Sequence, residues 1–594
     1  MIRIVRLVPV VALGALGACL SVPDGPAPEC QTTSDCDTAN GEVCEEGVCW
    51  GNPPAGPFFA LVTPPTELKG TLVSREFELA SIGADGWLGD VMLEAPVAYS
   101  GQLRAVCPAP FDCTDATLAA TITVTRPAAF KGGPEYRQIV TTEERTGQFQ
   151  VVMPRTHAAD QPYTITVVPE GRDDAPPTGV TPAQLVPPLR FQLAIQDSLS
   201  NVSLQLGDTT LPTVDGKIVN SAGVGQGQYR VVALGRWDAN SPPTEVSTVD
   251  YTGSDGTFSI RLSPNLFDSV EIVARPYGTN LQPTLHVTNV SAAGATGRQV
   301  VVPSGLGAKA TTSIHVTGQA PGGEIVPVIG AHVTVTGVVP SAQPGGTTAT
   351  LVADATTNAD GYADVELLDG ATIAGLYQLS IVPPANATVG LVFNQPIVPG
   401  GSLEQKLPNR VALRGIVRDA SGKPLDDVSV TVRPSLRFQW SLDAAPQAFV
   451  SAIPAATTTT PETGEFVVFV DPFIENGMDD VWGYYDILFE PTASANAPTW
   501  VAGEVSIPRD TQLTKVAVPD ITLPDAAHIH GQITDPAGTL IEGAELKVFR
   551  PESAVFALCD QVPNAPASCP VPAPLLGRGA SDGDGIVRLT LPRL

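Results

Sequence analysis

The sequence predicts an all-β chain, a tandem array of β-sandwiches of which four are complete and one is partial. Three observations predict it. Gly (56) and Pro (57) punctuate short Val/Ile/Thr runs, a spacing of strands and turns rather than of helices. A glycine turn that starts a strand returns at Gly147, Gly256, Gly361, Gly464 and Gly585, at intervals of 109, 105, 103 and 121 residues. Glycine suits a tight turn with positive φ, and Phe149, Phe258, Tyr362, Phe466 or Ile586 follows it at the head of the strand. An alternating strand closed by proline recurs at Tyr163 to Pro169, Val270 to Pro276, Tyr377 to Pro383 and Tyr485 to Pro491. Its prolines lie 107, 107 and 108 residues apart. Proline cannot donate to a ladder, so each ends its strand where the chain turns. Such constant spacing is the mark of an array.

Residues 1–18 open with Arg3 and Arg6, continue as an apolar run from Leu7 to Ala18, and meet Cys19. A basic start, a short apolar stretch and small residues before the cut describe a secretory signal too short to span a membrane as a helix. Leu16-Gly17-Ala18-Cys19 resembles the lipobox of bacterial lipoproteins. The resemblance implies a mature chain lipidated at Cys19, held in the cell envelope. Leu20, rather than Asp, after the cysteine implies the outer membrane.

Residues 19–55 form a cysteine-rich tether containing Cys30, Cys36, Cys44 and Cys49. Cys107 with Cys113 and Cys559 with Cys569 complete eight cysteines in local groups, which outside the cytosol are disulfide candidates. The first four allow three pairings. Their gaps of five, seven and four residues lack the paired spacing of zinc ligands. The stretch from Cys30 to Cys49 resembles the small dickkopf-like cysteine-rich segments that follow the lipobox in deltaproteobacterial lipoproteins. Residues 56–95 read as a strand-containing linker.

The sandwiches follow at 96–211, 212–302, 303–407 and 408–523, bounded by strand-ending prolines, with a partial fifth at 524–594. The last two align without a gap, Gly415 to Asp419-x-x-Gly422 and on to Val432 matching Gly531 to Asp535-x-x-Gly538 and on to Val548. Each is a hairpin of two alternating strands. These blocks resemble the carboxypeptidase regulatory-like domain, which implies an Ig-like, transthyretin-like sandwich of about seven strands. It implies a structural or carbohydrate-binding-like role and no peptidase activity. The fifth unit keeps its Gly585 strand but lacks the proline-closed strand that should follow. That leaves an open sheet edge for a partner strand, or else a smaller terminal sandwich or a truncation.

The net charge of −28 and the lack of any Lys/Arg cluster argue against nucleic acid. None of the six histidines falls in a His-Glu-x-x-His pattern, and no Gly-x-Ser-x-Gly elbow or phosphate loop occurs, so the expectation is a non-enzymatic protein without a cofactor. His528 and His530 share one face of a strand, as a metal pair or as plain polar surface. Acidic turns at Asp354 to Glu366 and at Asp582 to Asp584 offer calcium a foothold, although Asp-Gly is also what a hairpin turn prefers. Trp440, Trp482 and Tyr484 concentrate aromatic surface in the fourth unit. They are candidate ligand contacts at a sandwich tip, or else core and edge cover. The functional expectation is an envelope lipoprotein acting as a spacer and binding rod for surface adhesion or carbohydrate-like ligands. The alternative is an assembly subunit of an outer-membrane complex that pairs through sheet edges. Its partners are then the membrane through the lipid, and a glycan or an envelope protein.

Overall fold

In every repeat the glycine turn presses against the first strand of its own unit. The computed structural model describes residues 29–593 except 110, 112, 114–115, 131, 158–159, 173–179, 209, 240, 281, 304–307, 321–322, 340–345, 369–376, 385–386, 436–437, 439–454, 477–478, 493–496, 511–513 and 551–572. Gly256 has φ +76°, and a Cβ there would stand 2.2 Å from the Ile218 carbonyl; Gly464 at φ +68° approaches Val417 in the same way, at 2.6 Å. The left-handed backbone and the close approach both require glycine.

The fourth sandwich shows the plan. Its strands in chain order are Val411–Arg418, Val428–Pro434, Ala456–Thr459, Glu465–Val470, Tyr484–Pro491, Trp500–Ser506 and Lys515–Ala517, the last resumed at Ile521–Thr522. One sheet has the order fourth–first–seventh, with the seventh strand parallel to the first. The other has the order third–second–fifth–sixth, all antiparallel. Alternation turns Val428, Val430, Val432, Ile487 and Phe489 inward against Leu413, Phe466 and Val468. The first three sandwiches repeat this order within residues 97–206, 213–301 and 309–406.

A buried hydroxyl clamps each unit at one place. Thr142, Thr252, Thr357, Thr460 and Ser581 stand four or five residues before the turn glycine. Each accepts the N–H at the start of the second strand and donates to a carbonyl two or three residues earlier. In the fourth unit Val428 N–H donates to Thr460 Oγ1 (3.0 Å), which donates to Leu425 O (2.8 Å). The other four clamps are Ala120/Leu118, Tyr229/Gln226, Ala331/Val328 and Ala544/Ile541. The hydroxyl satisfies main-chain groups that the change of sheet between first and second strand leaves unpaired.

The terminal sandwich is shared between the two ends of the chain. Ala526–Thr534, Glu545–Phe549, Leu575–Ala580 and Ile586–Pro592 supply its first four strands. Its fifth is Phe58–Thr63, antiparallel to Glu545–Phe549. Its sixth is Arg75–Leu79, and its seventh is Trp87–Met92, parallel to Ala526–Thr534. Residues 524–594 alone are thus a partial sandwich, and residues 56–95, expected as a linker, are the rest of it. The reason is burial: Phe58, Ala60 and Val62 alternate inward and are 0% exposed against Leu546, Val548 and Leu589. The edge left open in the sequence is closed by the chain itself.

Neighbouring sandwiches touch all the way round. Thr284–Ser291 of the second pairs with Thr347–Thr356 of the third, and Val392–Ile397 of the third runs parallel to Phe473–Asn476 of the fourth. One eleven-stranded sheet therefore runs through three units. Arg410 and Asp471, buried at the third-to-fourth junction, lie 3.2 Å apart. The fifth meets the fourth through Arg578 and Glu490 (3.3 Å) and through Thr590 Oγ1 and Ala497 O (3.3 Å). It meets the first through Phe130, stacked on Phe59 (4.5 Å) and tilted on Phe549 (5.6 Å). The contacts return to their start, so the five sandwiches form a closed circuit. A rod with one tethered and one free end, the expectation from a linear array, is corrected by this pairing.

Candidate functional site

Three places gather the residues that the sequence singled out or overlooked. The first is the docking of the cysteine-rich module on the terminal sandwich. Val43–Glu45 and Val48–Trp50 form a hairpin that sets Cys44 opposite Cys49, and the bonds run Cys30–Cys44 and Cys36–Cys49. Cys107 is bonded to Cys113. Cys19, Cys559 and Cys569 lie outside the described residues. The hairpin extends the terminal sheet: Trp50 pairs with His528, and Gly51 N–H donates to His528 O at 3.0 Å. The Trp50 ring sits edge-on at 4.8 Å from His530 and 5.9 Å from His528, and Trp87 lies 5.1 Å from His530. Glu29 reaches His528 at 3.7 Å, Glu42 pairs with Arg593, and Glu46 lies 3.5 Å from Arg588. The two histidines do face outward from the sheet, but tryptophans roof them. Burial depresses the His530 pKa below the usual histidine range, outweighing the pull of Glu45 and Asp85.

The second place is the aromatic group of the fourth unit. Trp440 lies outside the described residues. Trp482 ends the hairpin of Phe473–Asn476 and Asp479–Trp482, 5.0 Å from Phe473, beside the third sandwich. Tyr484 is half-buried against the fourth core. The structure sets Trp482 at the seam with the third sandwich and Tyr484 against the core of the fourth.

The third place was not found from sequence, because its residues come from different units. A cleft of about 440 Å3 lies between the first and second sandwiches. Phe111, from the loop closed by Cys107–Cys113, forms one wall and is 44% exposed. Leu185, Val249, Tyr251, Asp250 and Arg261 line the rest. Burial raises the Asp250 pKa, although its carboxylate accepts N–H groups from Ser259 (2.6 Å) and Tyr251 (2.8 Å). Aromatic faces beside a carboxylate and a guanidinium can stack on a sugar ring and bond its hydroxyls.

The acidic turns use their side chains locally. Asp582 Oδ1 accepts from Asp584 N and Ile586 N, both at 3.0 Å, and Asn358 Oδ1 accepts from Asp360 N (3.0 Å) and Tyr362 N (2.9 Å). Among the described residues, three potential metal-ligand atoms come within 4.8 Å of one another only in the cysteine-rich module, where the cysteines are bonded as disulfides. Among them too, no helix is long and apolar enough to cross a membrane.

No family model matches the chain, and no curated protein matches it. Among solved structures, the Bacillus anthracis TIE protein is 11% identical over 71% of this chain and 72% of that one, with a TM-score of 0.14. The minor pilin GBS52 of Streptococcus agalactiae is 13% identical over 36% of this chain and 97% of its own, with a TM-score of 0.20. Two B repeat units of the collagen-binding protein of Staphylococcus aureus are 9% identical over 71% and 99%, with a TM-score of 0.12. At these scores the likeness carries no argument, and the reading of fold and function rests on the chain's own residues.

Proposed function

We propose that this chain is a non-enzymatic envelope lipoprotein: a closed five-sandwich scaffold, lipidated at Cys19, that holds a carbohydrate-like ligand in the cleft between its first two sandwiches. The cleft carries the binding half of this reading. Phe111 and Tyr251 offer ring faces, Asp250 and Arg261 offer hydrogen bonds, and Phe111 lies within the loop closed by Cys107–Cys113. The acidic surface of a chain with net charge −28 favours a neutral saccharide over an anionic one. The anchoring half rests on Leu16-Gly17-Ala18-Cys19. The reading needs no cofactor, and because the Asp582 carboxylate is already engaged by the N–H groups of its own turn and by Arg588, a chelator is expected to leave the melting temperature unchanged. A calcium-dependent rise would restore a metal to the account.

Two measurements test the halves separately. Cys19→Ser is expected to abolish incorporation of labelled palmitate, and undiminished labelling would remove the anchor. On a glycan array, Phe111→Ala is expected to lose about five- to tenfold in binding, as about 1–1.4 kcal/mol of lost stacking predicts. An unchanged profile, or no glycan bound by the parent chain, would remove the cleft. A second reading, an assembly subunit pairing through sheet edges, draws on the edge-to-edge joins that already link the second, third and fourth sandwiches. Discrete stoichiometric partners in a pull-down from solubilised membranes would favour it.

A further inference from the structure

The recognition between the two chain ends is complete within two short segments. Phe58–Thr63 pairs with Glu545–Phe549 over five residues, from Phe59 opposite Phe549 to Thr63 opposite Glu545. Trp87–Met92 pairs with His530–Thr534 of the first strand. The core joins Phe58, Ala60, Val62, Val91 and Leu93 from one segment to Ile529, Ile533, Leu546, Val548 and Leu591 from the other. Neither set of contacts requires that both segments belong to one molecule. The seams agree with this. The fourth sandwich touches Arg578 and Thr590, which belong to the C-terminal strands that it precedes. The first sandwich follows directly on the N-terminal strands, and its Phe130 rests on Phe59 and Phe549 of whichever terminal sandwich those strands complete.

We propose that this clasp is exchangeable, so that the N-terminal strands of one copy complete the terminal sandwich of a second copy and link the chains head to tail. Every local contact is kept in the exchanged form, since an identical element replaces its twin. What separates closed from linked molecules is the proximity of a chain's own ends, an advantage that protein concentration offsets. The linked form is therefore the minor species in dilute solution and grows with density. This inference depends on neither the lipid nor the ligand cleft.

The register supplies the experiment. Thr63 and Glu545 face each other across the two strands, on the side away from the core. One tagged copy carries only Thr63→Cys, and a second, differently tagged, carries only Glu545→Cys; both are expressed together in an oxidising compartment. A disulfide joining the two tags is expected, rising about tenfold relative to single chains for tenfold more protein while it is the minor species. Pairs of two Thr63→Cys copies are expected to stay at background. A chain bearing both substitutions reports the clasp within one molecule. If that internal bond forms while mixed copies never join, exchange is overturned. If the internal bond fails to form, the clasp falls, and exchange falls with it.

Discussion

Thr460 has a small side chain, and its effect is out of proportion to its size. It is 2% exposed and holds a main-chain N–H and a carbonyl that no strand satisfies. Thr460→Val keeps the shape and strands both groups, so a loss of about 1–3 kcal/mol is expected by denaturant titration. Thr460→Ser is expected to retain most of the stability, and equal losses would show that packing rather than hydrogen bonding is at work. The motif was legible in principle: a Thr or Ser four or five residues before each turn glycine is visible in the sequence. It was overlooked because hydroxyls abound in β-rich chains, and only burial marks these five. His530 sets a second expectation at this scale. Its folded pKa lies below the unfolded value, so the folded form binds fewer protons and stability at this site is full above about pH 6.5. As pH falls below that value, protonation is expected to loosen the module under Trp50. Protection of the amides at residues 43–50, with exchange corrected for its intrinsic pH dependence, should fall between pH 7 and 5 in the parent but not in His530→Phe.

At the scale of elements, the strand that matters most was also legible and was missed. Phe58 stands six residues before Pro64, the spacing of Tyr163, Tyr377 and Tyr485 from Pro169, Pro383 and Pro491. All four aromatics are fully buried at the head of their strands. The tyrosines also donate to backbone carbonyls of Pro154, Leu368 and Asp471, which Phe58 cannot do. Without the hydroxyl, and placed before the array rather than inside it, the copy passes for a linker strand. Sequence periodicity identifies strands but says little about pairing between segments more than four hundred residues apart. The same limit hid the cleft between the first two sandwiches, whose walls come from separate units. Phe58→Ala is expected to cost about 3–5 kcal/mol, and the damage should appear at the opposite end of the chain. Exchange in Ile586–Pro592 should accelerate, whereas exchange confined to residues near 58 would refute shared packing. A different kind of joint holds the third and fourth sandwiches. Arg410→Met leaves the Asp471 carboxylate buried without its cation, at a cost of about 3–5 kcal/mol in the melting of that pair of units.

For the molecule as a whole, the array fold was readable from its intervals and the closure was not. The N-terminal strands and the last strand belong to one sandwich, so the span of the molecule is set by the breadth of a circuit rather than by five units end to end. The clasp also changes what damage means. Cut once, an open string of domains becomes two pieces; a loop cut once is still one object. A protease site placed after Pro303 lets this be seen. The cleaved chain should run as two bands in denaturant yet leave a sizing column as one species. With Leu546→Asp loosening the clasp, the same cut should release two. Identical elution of both variants would mean that the seams alone, or nothing, hold the halves. A chain closed this way keeps its parts together through a first scission, a form of tolerance written into its connectivity.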